Sequence, residues 1–188
     1  MVRVILAPRW YPTPRVVELE LQKHLATEPD YLEKHGYVRE AQADGSEVYY
    51  QKSGAENLLG EVKFQGPNKY NIYLHDTNAR ALFTRARRAF SHGCVRVQDP
   101  RQLSEYILGQ DNGMSPREIR TVVQEGKEKV VNLKTAISVH IDYVSAAVDD
   151  DGKVVFGADI YGYDRAFFDG ALPVEESKEY KAASVQGL

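Results

Sequence analysis

The chain has 188 residues, 43% of them hydrophobic and 27% charged, with a formal net charge of −3. That length can bury a core without disulfides or structural metal, and the near-neutral balance leaves no electrostatic footprint for nucleic acid. A single cysteine, Cys94, excludes an intramolecular disulfide framework, and no apolar run is long enough for a membrane span.

RVIL at residues 3–6 reads as a strand, and the short apolar patch around it ends at Pro8, too short for the core of an export signal. Thr13 followed by Pro14 is an N-cap with proline at the first helical position. The helix that follows has apolar residues at 17, 21 and 25, and Glu28-Pro29 ends it. A second short helix closes at Gly36. Residues 37–60 contain a hairpin predicted across Asp44-Gly45, a segment suited to a flap over a cleft.

Residues 68–75 alternate: Tyr70, Ile72 and Leu74 suit a core face, which puts Tyr73 and His75 on the opposite one. Residues 78–90 carry helical spacing in Leu82, Phe83, Ala86 and Phe90. Their basic run, Arg80, Arg85, Arg87 and Arg88, fits the solvated side of such a helix. Along the next strand Val95 and Val97 point one way, Cys94 and Arg96 the other. Asp99-Pro100 opens a helix predicted to end at Gly109, and Ser115-Pro116-Arg117-Glu118 is a capping box for another. The remainder reads as β: VVNL, AISVHIDYVSAAV and KVVFGADIYG, the last two joined at DDDG, which lacks the ligand spacing of a calcium loop. Residues 173–188 read as a polar, mobile tail. The fold class is mainly β with several short helices, α+β, with no internal repeat and one catalytic-size domain over 1–172.

The chemistry concentrates in YNIYLHDTNARALFTRARRAFSHGCVRV, residues 70–97. A cysteine nucleophile needs its thiolate, scarce at neutral pH for a thiol of pKa about 8.5. A histidine in reach can take the proton and return it to a leaving group. In SHGC, Gly93 permits a turn that presents the backbone N–H groups of Gly93 and Cys94 to an oxyanion. Arg96, on the same strand face as Cys94, adds positive charge suited to thiolate or to a substrate carboxylate. A strand, a helix and a return strand can bring His75 beside Cys94. On these residues alone, a catalytic pair and a buried structural cysteine both stay open. A zinc site from His75, His92 and Cys94 lacks a fourth ligand. His24, His35 and His140 have no partners in a recognisable pattern.

His75 followed by Ser91-His92-Gly93-Cys94-Val95-Arg96 resembles the L,D-transpeptidase family of bacterial cell-wall enzymes. LGEVKF, the PN before the strand, YLHDT, RRAFSHGCVRV with DP after it, and DIYGYD are similar to its larger, periplasmic branch. The similarity runs from about Pro8 to Asp164. It implies a β-sandwich catalytic domain whose first strands this chain lacks, APRW standing where the family has its NPxW-like segment. QKSGAENLLG departs from the glycine- and proline-rich version of that segment, which bears on flap geometry and acceptor recognition.

The resemblance further implies Cys94 as nucleophile and His75 as general base. Ser91, His92 and Gly93 would shape the oxyanion loop, and Arg96 and Tyr73 would meet the substrate. The partners would be donor and acceptor stem peptides of peptidoglycan, in the periplasm. The product would be a 3→3 cross-link formed through a thioester with release of D-alanine, without metal or cofactor, and carbapenems would acylate the same sulfur. Two alternatives stand beside it: a carboxypeptidase or amidase that hydrolyses the same acyl-enzyme, and a non-catalytic wall-binding module.

Overall fold

The computed structural model describes residues 1–90 and 93–170, which fall into two compact units, 1–137 and 138 onward. Mixed sheets with several short helices make it an α+β fold, as the sequence leads one to expect. Ser91, His92 and the expected tail lie outside the described residues.

In the first unit β1 (Arg3–Leu6) leads into α1 (Pro14–Val16), a π turn (Val17–Leu21) and α2 (Gln22–Thr27). Thr13 caps this run by accepting a hydrogen bond from the Val16 amide at 3.4 Å, and Leu21 is its buried residue. The short α3 (Tyr31–Lys34) is followed by Gly36 in the left-handed region, φ 67°. β2 (Tyr37–Ala41) and β3 (Glu47–Gln51) form the expected hairpin, with Gly45 at φ 83° in its turn. Next come β4 (Val62–Gln65), β5 (Leu74–His75), β6 (Val95–Arg96), α4 (Pro100–Asn112), α5 (Pro116–Glu125) and β7 (Lys129–Asn132).

The main sheet has the order β6-β5-β4-β1-β7. Its contacts are antiparallel except between β5 and β6, which run parallel. A parallel pair needs a long crossover, and the segment between His75 and Cys94 supplies it. Strand alternation divides the sheet into two faces. Val4, Leu6, Val62 and Phe64, all at most 1% exposed, pack with Ile107, Leu108 and Ile119 of α4 and α5, and Leu74 and Val97 join from the side. Burial of this one face fixes the register, because a one-residue slip would turn the apolar set outward. The opposite face is thereby committed to Lys63, Gln65, Tyr73, His75, Cys94 and Arg96.

Several elements differ from the sequence reading. Residues 78–90 form only a 3₁₀ turn, Arg80–Thr84, and Arg85 is extended. Leu82 and Phe83 are only partly buried and Phe90 is 46% exposed, so no continuous apolar face repays a longer helix. Regular strand before His75 shrinks to two residues. Asn68 bonds the Tyr70 and Ile72 amides at 3.2 and 2.9 Å and the Ile72 carbonyl at 2.7 Å, competing with a ladder, and Asn71 takes φ 53°. α4 runs through Gly109, since Ile107 and Leu108 anchor it in the core, and it ends at a left-handed cap on Gly113. The capping box of α5 is present in both directions: Glu118 N–H to Ser115 Oγ at 3.3 Å and Ser115 N–H to Glu118 Oε2 at 2.7 Å.

In the second unit β8 (Ala146–Val148) pairs antiparallel with β9 (Val154–Phe156). Asp149 closes the acidic turn by accepting from the Asp151 and Lys153 amides at 3.1 and 2.8 Å. Residues 138–145, read from sequence as strand, carry none. An unforeseen helix, α6 (Tyr163–Phe168), follows Gly162, whose φ is 71°. Asp159 accepts from the Tyr143 hydroxyl at 2.9 Å and the Arg165 amide at 3.1 Å, tying the start of α6 to the preceding loop.

Candidate active site

β5 and β6 lie side by side with Leu74 opposite Val95 and His75 opposite Arg96. The Val95 amide donates to the Tyr73 carbonyl at 3.0 Å and the Val97 amide to the His75 carbonyl at 2.8 Å. Cys94 is therefore placed beside Tyr73 as the chain enters β6, at the rim of the sheet. It is partly buried. Residues directly opposite in a ladder share a face, so Lys63, His75 and Arg96 form one row across β4, β5 and β6. Tyr73 and Cys94 follow two positions earlier on their own segments. Tyr73, His75, Cys94 and Arg96 thus share the face expected from the 2-residue period, whereas Tyr70, expected on the core face, is 58% exposed because the chain leaves the strand pattern at Asn71.

His75 is 6% exposed. Its Nδ1 meets the carbonyl oxygen of Asp76 in a short hydrogen bond. As the donor there, Nδ1 carries the proton of the neutral ring and Nε2 keeps its lone pair. Burial holds the imidazole below the ordinary histidine range. The Asp76 carbonyl works against that shift, and the Arg96 and Lys63 charges add to it, with the Asp76 carboxylate opposing them. At neutral pH these influences favour the neutral imidazole over the imidazolium ion.

Tyr73 packs edge-on to His75 with ring centroids 5.7 Å apart. Burial, then the nearby Cys94 sulfur to which it hydrogen-bonds, pushes the Tyr73 phenol up to about 12. Its hydroxyl stays protonated and available to the sulfur. The Lys63 ammonium lies 3.8 Å from the centre of the Tyr73 ring, a cation–π distance. Arg96 places Nε and Nη1 in a buried position with no hydrogen-bond partner among the described residues, and its charge reaches His75. Gly93 takes φ 151°, and a Cβ there would stand 3.4 Å from Ile72 Cγ1.

Asp76 serves the site through its backbone carbonyl, and its side chain holds that peptide unit in place. Its carboxylate, 1% exposed, accepts from the Glu61 amide at 2.8 Å, the Thr77 amide at 2.7 Å and Arg80 Nη2 at 2.9 Å. These bonds fix the peptide unit whose carbonyl orients His75. Gly60, at φ 58°, makes room: a Cβ there would lie 2.4 Å from Asp76 Cγ. Arg80, read from sequence as part of a solvated basic face, is the cation of this brace. Lys63 was also overlooked, although VKFQ alternates clearly enough to set Lys63 and Gln65 opposite Val62 and Phe64. What was missing was the identity of the strand beside it.

A cavity of about 160 Å³ lies elsewhere, lined by Trp10, Leu21, Tyr31, Tyr37 and Asn78 among others, and neither His75 nor Cys94 lines it. Chemistry rather than volume marks the site. Among the described residues no group of three His, Cys, Asp or Glu side chains stands together to hold a metal, and no helix is long and apolar enough to cross a membrane.

Residues 1–140 match the YkuD family, the L,D-transpeptidase catalytic domain. The chain belongs to that family. It is also similar to a Haemophilus influenzae protein provisionally named an L,D-transpeptidase, 31% identical over 177 residues. That alignment covers 86% of this chain and 36% of the relative, so the chain spans about a third of the relative's length. Within this L,D-transpeptidase domain the matched region contains the whole five-stranded sheet and both segments that bear His75 and Cys94.

Proposed function

We propose that this chain is the catalytic part of a peptidoglycan L,D-transpeptidase that forms 3→3 cross-links through a thioester on Cys94. The observation that carries the reading is the adjacency of the His75 and Cys94 segments on one sheet face, with Nδ1 of His75 committed to the Asp76 carbonyl. Nε2 is then the atom free to serve as base.

In the first half-reaction His75 Nε2 takes the thiol proton as Sγ attacks the carbonyl carbon at the L-centre of the third stem residue. The oxyanion of the tetrahedral intermediate is met by the N–H groups of Gly93 and Cys94. His75 passes its proton to the amide nitrogen of the terminal D-alanine, the C–N bond breaks, and D-alanine leaves. In the second half-reaction the side-chain amine of an acceptor stem gives a proton to His75 and attacks the thioester carbonyl. The C–S bond breaks, and the sulfur recovers the proton from His75.

Ser91 and His92 complete the oxyanion loop in this reading. Tyr73 supports the sulfur and borders the substrate, and Arg96 supplies fixed positive charge behind the imidazole. The hairpin region 37–60 serves as the flap, and the work is done in the periplasm.

The test is incubation with tetrapeptide stems followed by mass analysis. The expected product is a dimer with loss of D-alanine, absent for Cys94→Ala. Tripeptide alone would assign the thioester to water and make the enzyme a carboxypeptidase. Failure of a carbapenem to add mass to folded protein would remove the nucleophile altogether.

A further inference from the structure

Lys63 has no place in the reaction just described, yet it stands directly opposite His75 on β4 and shares the site face. Its ammonium is drawn over the Tyr73 ring at 3.8 Å. Among the described residues no carboxylate lies within 4.0 Å of Nζ. Glu128 acts on it only from farther away, Arg3 opposes its charge, and the Cys94 sulfur is near enough to favour it. Burial pulls this lysine below its ordinary pKa. An ammonium taken partly out of water without a counter-ion is costly, and such groups concentrate where a ligand supplies the missing charge. A quadrupole of one ring offsets only part of that cost.

Arg96, on the other side of the row, is differently disposed. Its Nε and Nη1 are sealed from solvent, so it acts on His75 as a fixed charge. Lys63 is partly exposed, and its ammonium leans on the Tyr73 ring at the site face. The chemistry of the reaction then names the ligand. The residue expelled from a four-residue stem is terminal, and its free carboxylate carbon is three bonds from the carbonyl carbon that Cys94 attacks. A cation seated on the Tyr73 ring, whose hydroxyl meets the Cys94 sulfur, is within range of that carboxylate.

We propose that Lys63 is the seat for the free carboxylate of the residue expelled from the donor stem, so that the site selects chains ending one residue beyond the scissile bond. The inference rests on the thioester reading above. A stem extended by a further residue, or one closed by an amide, brings no charge to this position and leaves the ammonium unpaired.

The experiment compares acylation rates of the 188-residue chain by two peptides, a tetrapeptide ending in free D-alanine and the same peptide ending in D-alaninamide. It is repeated on Lys63→Met and Lys63→Arg. The wild-type chain is expected to prefer the free acid by about tenfold to a hundredfold, the span of a hydrogen bond to a charged group. Lys63→Met brings the ratio of the two rates close to one, and Lys63→Arg keeps most of the preference. Because the ratio is taken on one sample, partial unfolding of a variant cancels. Equal rates in the wild type overturn the seat. An undiminished ratio in Lys63→Met assigns it to another residue. A parallel loss for both peptides and for neutral iodoacetamide would make Lys63 a stabiliser of the thiolate instead. Acylation by neither peptide overturns the thioester reading and the seat with it.

Discussion

His75 illustrates how a backbone contact can set the chemistry of a side chain. The Asp76 carbonyl selects the tautomer, while burial and the flanking cations keep the ring neutral. His75→Ala is expected to slow carbapenem acylation by about 10²–10⁴-fold, the usual scale of general-base loss, with a cooperative unfolding transition retained. A near-normal rate would take the base role from this residue. The depressed pKa also sets a direction for pH. The acidic limb of acylation is expected to lie below the unperturbed value of about 6.5, read from rate against pH; an apparent pKa above it would mean a thiolate–imidazolium pair. For stability the same shift has a definite sign. As pH falls from about 6.5, the unfolded chain takes up a proton that folded His75 resists, so stability declines until the folded pKa is passed. Denaturant titrations at pH 7.5 and pH 5 on the wild type and His75→Gln measure this, with the smaller decline expected in the variant.

At the scale of elements, the site depends on how segments distant in sequence brace one another. Gly60 yields its side-chain space to the Asp76 carboxylate, and Glu61, Thr77 and Arg80 hold that carboxylate in place. Gly60→Ala is expected to cost more than about 1 kcal/mol, since it adds a Cβ at positive φ and forces Asp76 aside. Acylation should fall with it because the carbonyl that aligns His75 moves. Denaturant titration and carbapenem kinetics on the same variant check both effects; unchanged kinetics in a destabilised protein would confine the brace to folding. The segment after Asp76 shows why helical spacing alone misleads. Leu82, Phe83, Ala86 and Phe90 recur at helical intervals, but a helix persists only where such a stripe finds a surface to cover, and this one stops at Thr84.

At the largest scale, one apolar sheet face against α4 and α5 underlies the first unit and the site face it carries. Phe64 is 1% exposed in that layer, one position from Lys63 and facing the other way. Phe64→Ala is expected to cost about 3–5 kcal/mol, measurable by denaturant titration, and to threaten the site face through the shared strand. A loss under 1 kcal/mol would mean that this layer is not the seat of stability.

Much of this could be read from residue order. The 2-residue alternation around Tyr73, His75, Cys94 and Arg96, the cap at Thr13, the capping box at Ser115 and the turn at Gly45 are local signals, each carried by a few neighbouring residues. So is the SHGC block with its upstream histidine, which pointed to the family. The tertiary structure alone decided that β4 is the strand beside His75, which brings Lys63 to the reacting face, and that Gly60 and Asp76 interlock. Those outcomes depend on which strands pair, and pairing follows from the total burial of one sheet face by residues far apart in the chain. Short-range periodicity assigns a side chain to a face, but it carries no information about the neighbour that side chain will meet there.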